Sequence, residues 1–207
     1  MKEVLRGMVL PSSANLVILA SNYNPSIVSK DWLYGKGIFT EPVTNFVHTP
    51  VFSLVESDLL SLTVDEQRLQ VVAKRVTEDN LNASADIGRK FVETLAETPY
   101  KAIGLNYHYN VPREGYDLAP ILSPNDGKLR EMLSSTYGLG AVLVFEFERF
   151  VVNFTIKPSF GKDQRVLMSF NFHSDTASAS EVKEGLDAQA RTLGKAETIM
   201  RELCKNG

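Results

Sequence analysis

Two of the three histidines in this 207-residue chain stand in matching surroundings. His108 lies in "LNYHYN" (105–110) and His173 in "FNFHSD" (170–175). Each stretch runs apolar, Asn, aromatic, His, any residue, then Asn or Asp. In an extended chain alternate side chains share a face. Asn106, His108 and Asn110 therefore form one polar row, and Asn171, His173 and Asp175 another. If the two strands pair in matching register, the β-carbons of His108 and His173 lie about 5 Å apart. With Asp175 added, two imidazoles and a carboxylate suffice to hold a divalent metal with open positions or to act as a His–Asp general base. His108, His173 and Asp175 are thus the candidate catalytic and metal-ligating residues. The competing and stronger explanation is structural: a sheet with one buried face carries Asn and His on the other as a matter of course. Nothing in the sequence sets the register that a site requires.

Other chemistry finds little support. There is no GxxxxGK[ST] loop, no GxGxxG after a strand, no HExxH and no GxSxG. The fragments "YGKGIF" and "YGLGAV" read as a helix stop and a strand entry. No cofactor signature is present, and none is expected to be bound. The single cysteine, Cys204, cannot form an internal disulfide or build a Cys-based zinc site, which fits a reducing cytosol. At the end of a helix its thiolate is disfavoured, so it reads as an apolar filler. Glu146 and Glu148 share a face of "VFEFERF". They suit acid–base work, but a solvated strand face explains them more simply. Phe145, Phe147, Phe154, Phe170 and Phe172 read as core, with a pocket for an apolar ligand as the alternative.

The elements that must position these residues follow from periodicity. "NLVILASNY" is a strand. "NPSIVSKDWLYGKG" is a helix capped by Asn24, with Pro25 in its first turn. Leu60, Leu62 and Val64 alternate, as do Leu69, Val71 and Ala73, with "DEQ" as the turn between them. Ile87, Phe91 and Leu95 form a helical stripe, for which Ser84 is the expected cap and Pro99 the stop. "SPNDGKLREMLSSTYG" reads as a short helix capped by Ser123. "AVLVFEFERFVVNFTIKP" is a pair of strands turning near Glu148–Phe150, and "QRVLMSFNFHSD" is one more. From Ser180 to about Cys204 the period is helical. Val182, Leu186, Gln189, Leu193, Ala196, Met200 and Leu203 make a heptad seam suited to a partner helix or to docking on the chain's own sheet, and docking is favoured. The expected fold is α+β: antiparallel sheet with helices mainly on one side and an internal duplication of a β-rich half. It is read as a single domain over 1–207, with two packed halves, 1–112 and 113–207, as the alternative.

Composition bounds the function. The chain is 43% hydrophobic and 23% charged, enough for a proper core and unlike a disordered chain. A net charge of −3 lacks the basic excess of a nonspecific nucleic-acid binder, so no nucleic acid is expected. Pro11, Ser12, Ser13 and Asn15 interrupt the apolar N-terminal run, arguing against a signal peptide. No apolar run approaches the roughly 20 residues that span a membrane.

The stretch "YKAIGLNYHYNV" resembles the "GLRYxNxI"-type strand of a scattered prokaryotic family of uncharacterised α+β proteins. The preceding hairpin and helix, and the final helix after "FNFHSD", are similar in order. Here Asn106 stands where that pattern has Arg. The resemblance implies an order of elements and no catalytic residues. The reading that results is a soluble, cytoplasmic, non-enzymatic structural or interaction protein. It is expected to form a homo-oligomer or to bind a protein partner. The alternative is a metal-assisted or His/Asp-based hydrolase using the polar sheet face.

Overall fold

The computed structural model describes residues 10–112, 124–133, 137–159 and 165–204. Nine strands form one open sheet: β1 (Ser13–Ala20), β2 (Asn45–Thr49), β3 (Phe52–Glu56), β4 (Leu60–Asp65), β5 (Arg68–Ala73), β6 (Tyr100–Pro112), β7 (Ala141–Phe147), β8 (Phe150–Pro158) and β9 (Arg165–Asp175). Their spatial order is β2-β3-β4-β5-β1-β6-β9-β8-β7, and every neighbouring pair is antiparallel. Five α-helices accompany the described strands: α1 (Lys30–Gly35), α2 (Glu78–Thr94), α3 (Asp126–Leu133), α4 (Ala179–Asp187) and α5 (Gln189–Leu203). This is the α+β architecture that the periodicity predicts.

Strand alternation sorts the side chains cleanly. Leu16 and Ile18 of β1, Leu105 and Tyr107 of β6, and Phe170 and Phe172 of β9 are buried. Helix α2 packs on β5 and β1, and α4 and α5 pack on β6. The rings of Tyr23 and Trp32 meet Phe91 of α2 edge-on at 5.9 and 5.7 Å, which ties the α1 segment to that layer. Phe154, Phe170 and Phe172 lie in the core, while Phe145 and Phe147 pack against it from β7. Fully burying side chains of this size contributes about 1.5–3 kcal/mol each.

The chain repeats a theme about the centre of the sheet. A central strand, β1, is followed by the meander β2 to β5, which returns to pair with β1, and then by α2. The second central strand, β6, is followed by the meander β7 to β9, which returns to pair with β6, and then by α4 and α5. The counterpart of β6 is therefore β1. The echo between "LNYHYN" and "FNFHSD" joins cross-strand neighbours inside one unit and does not mark equivalent strands. The expected halves 1–112 and 113–207 cut β6 away from the meander it pairs with, whereas a boundary between α2 and β6 keeps each central strand with its meander.

Several local expectations are also revised. Asn24 caps only a 3-10 turn at Pro25–Ile27, and Ser29 caps α1. The hairpin β2–β3 escapes a reading by alternation, because β2 is exposed along nearly its whole length. Helix α2 begins earlier than its apolar stripe: the Thr77 side chain accepts from Asn80 N–H at 3.2 Å, and Ser84 is buried within the helix. Asn125 performs the capping of α3, its Oδ1 accepting from Lys128 N–H at 3.0 Å, whereas Ser123 lies outside the described residues. The final helix is broken at Ala188, and α5 starts without a side-chain cap. Glu148 takes no part in a carboxylate pair on β7. It sits in the β7–β8 turn at φ 52°, the positive value that a tight hairpin demands, and Arg191 of α5 holds it there from two nitrogens, at 2.8 and 3.0 Å.

Candidate functional site

The helices leave the opposite sheet face open among the described residues, and its side chains form straight rows. One row crosses all nine strands: Asn45, Glu56, Ser61, Val72, Asn15, Asn106, Asn171, Asn153 and Val144. At its centre the amides form a ladder. Asn171 Nδ2 donates to Asn106 Oδ1 at 2.6 Å, and Asn106 Nδ2 donates to Asn15 Oδ1 at 2.9 Å. Each amide thus satisfies its neighbour in a half-buried place where an unpaired one would be costly. At the far end, Asn45 and then Lys74 hold the Glu56 carboxyl below the usual range by hydrogen bonding.

The register answers the question about the histidines. Because β6 and β9 run antiparallel with Asn106 opposite Asn171, His108 falls opposite Ser169 and His173 opposite Gly104. The two imidazoles share a face but stand four strand positions apart, roughly 13 Å at the usual rise. The expected cluster of His108, His173 and Asp175 is not assembled. What remains is a contact within β9, His173 Nε2 to Asp175 Oδ1 at 3.2 Å, with Asp175 almost fully exposed. No group of three or more His, Cys, Asp or Glu residues with metal-binding geometry occurs among the described residues. The third histidine lies elsewhere. His48 Nδ1 meets Ser53 Oγ at 2.8 Å, but that hydroxyl is buried and donates to the Pro25 carbonyl at 3.1 Å, so the contact fastens the 3-10 turn to β3. Burial lowers the His108 pKa below its ordinary value.

Two features of this face and its margin were not singled out from sequence. The first is β7, an edge strand whose sequence is "AVLVFEF". Val142 and Val144 are 67% and 64% exposed on the open face, and Val151 and Leu167 extend the apolar ground inward at 45% and 48%. The second is a concavity of about 280 Å³ at the same end of the face, lined by His108, Asn110, Thr155, Lys157, Leu167 and Ser169 among others. Only the strand register, absent from the sequence, joins these residues from three strands. The β7 signal was available: seven residues with six apolar members, and no Lys, Pro or Gly to blunt an edge.

On the helix side, a cleft of about 310 Å³ opens between α2 and α5, with Leu81 and Leu193 on its walls and Glu78 and Glu197 among its lining. Nearby, Tyr107 Oη donates to the Gln189 carbonyl at 3.0 Å and lies 2.9 Å from Thr192 Oγ1, a buried polar lock between β6 and α5. Cys204 packs against the core, and burial raises its thiol pKa, as an inert filler requires. No helix among the described residues is long and apolar enough to cross a membrane. No protein-family model matches the chain, and no curated protein is significantly similar to it.

Proposed function

We propose that the chain is a self-associating interaction protein, and that copies join through β7. The observation that carries this reading is the unguarded edge. Among the described residues β7 offers a row of unpaired backbone groups and apolar side chains on both faces, with Glu146 as its one charge and no lysine, proline or bulge to protect the strand. A second copy suits it as occupant because the strand is self-complementary. Antiparallel pairing about Val144 sets Leu143 against Phe145 of the other copy on the helix side. It sets Val142 against Glu146 on the open side, so the two Glu146 carboxylates stay apart. The opposite edge, β2, is shorter, with Asn45, His48 and Thr49 among its five residues, and lacks this match.

A cytosolic setting accords with the single cysteine, and membership of the "GLRYxNxI"-type family remains part of the same proposal. The hydrolase alternative keeps only the His173–Asp175 contact in its favour, with His108 too distant to join it. Solution mass measured by light scattering tests the assembly. The intact protein should be a dimer, and Val144→Lys, at an exposed position, should yield a folded monomer. A monomeric parent, or a dimer indifferent to that substitution, would sink the reading.

A further inference from the structure

The concavity around His108 has the chemistry of a receptor rather than of a plain sheet surface. Three strands contribute to it in register. His108 of β6, Ser169 of β9 and Thr155 of β8 form one cross-strand row, and Asn110, Leu167 and Lys157 form the next. Facing positions in such rows bring β-carbons to about 4.5–5.5 Å, so one small molecule reaches all of them. Among the described residues no carboxylate lines the hollow. Two positive charges belong to its surroundings: Lys157, which makes no ion pair among the described residues, and Arg165, whose Nε donates to Asn110 Oδ1 at 2.6 Å and fixes that amide. The His108 ring and the hydroxyls of Ser169 and Thr155 have no hydrogen-bond partner among the described residues. A cation is disfavoured here, since an ammonium lines the hollow and no acidic group among the described residues offsets it. A volume of about 280 Å³ suits a small molecule and is too little for a macromolecular segment.

We propose that this hollow binds a small oxyanion-bearing molecule. Its anionic head lies between Lys157 and His108 and accepts hydrogen bonds from the Ser169 and Thr155 hydroxyls, and its remainder rests on Leu167. The shared chemistry is an oxyanion, from either a carboxylate or a phosphate. Charge-assisted hydrogen bonds to the head supply the affinity, and the Leu167 side chain, 48% exposed, supplies apolar contact for whatever the head is attached to. The site is independent of β7 pairing, because none of these residues belongs to that strand.

The test is a titration of the full chain with inorganic phosphate and, separately, with succinate, following the histidine ring protons by NMR. His48 and His173 lie outside the hollow and serve as internal references. The expected result is a saturable shift of His108 alone, with the effective probe identifying the source as phosphate or carboxylate. Lys157→Ala should weaken it about tenfold, the loss of one charge-assisted contact, and Lys157→Arg should restore most of the affinity. If His108 does not respond to either probe, or if its response is undiminished in Lys157→Ala while the fold is intact, the site does not exist. A shift shared equally by all three histidines would also overturn it.

Discussion

Tyr107 and Tyr109 stand two residues apart on β6, both buried and both on the helix side, yet their hydroxyls are placed differently. The Tyr107 hydroxyl is engaged by Gln189 and Thr192. The Tyr109 hydroxyl has no partner among the described residues. Burial raises the pKa of both phenols, so both stay neutral. Removing a satisfied hydroxyl costs about 0.5–1.5 kcal/mol, whereas removing an orphaned one relieves a desolvation penalty. We therefore expect Tyr107→Phe to lower stability by about that amount and Tyr109→Phe to leave it unchanged or raise it, as read by urea unfolding. Equal losses from both would mean that Tyr109 has a partner after all. At this scale the sequence tells which way a side chain faces but not whom it meets. Alternation places Leu105 inward and His108 outward, as observed. The Asn ladder depends on three strands distant in sequence, and the separation of His108 from His173 on the register of two of them. A period of two carries no register.

Elements were readable where their ends are marked locally, and less so where tertiary contacts decide. The β4–β5 and β7–β8 hairpins have turn residues between alternating runs and appear as read. The final helix is different. Its heptad seam is continuous in sequence, yet the chain breaks at Ala188, where the first turn of α5 brings the Gln189 carbonyl to Tyr107. Val182, Leu186, Gln189, Ala196, Met200 and Leu203 of the seam are buried, which is the docked alternative. The two glycines along this segment look alike in sequence and differ in place. A β-carbon on Gly185 would sit 2.7 Å from Ile103 Cγ2, because α4 lies directly on β6 there. A β-carbon on Gly194 would meet nothing within 4 Å. Overpacking costs about 1–3 kcal/mol, while Gly to Ala in an open helix position gains up to about 1 kcal/mol. Gly185→Ala should thus lower the melting temperature and Gly194→Ala raise it. Opposite signs are the point of the measurement; a stabilising Gly185→Ala would show that α4 stands off the sheet.

For the whole molecule, the decisive contact is the one between central strands. β1 and β6 pair from Ser13↔His108 to Ala20↔Tyr100, with one irregularity near Leu19, and this seam joins the two repeated units into one sheet. Leu16 lies opposite Leu105 and Ile18 opposite Ile103, all fully buried under helices. Ion pairs add a second tie across the helix layer, where Arg89 of α2 reaches Asp187 of α4 at 2.6 Å. The pair is largely exposed and contributes little beside the apolar seam. Neither unit alone can cover its central strand, so each would present a long apolar edge and half a core. A cut between α2 and β6 leaves each unit its own complete meander and helices. A cut at 112/113 strands β6 on the wrong fragment and deprives β9 of the partner it pairs with over eleven positions. Two fragments divided near residue 97 should accordingly co-purify as a folded complex when expressed together, with a circular dichroism spectrum close to that of the intact chain, and should aggregate when expressed alone. Fragments divided at 112/113 should complement far less well. If the second division complements equally, strand β6 does not belong with the meander β7 to β9 as a folding unit, and the repeat about the β1–β6 seam describes the geometry of the sheet without governing how it assembles.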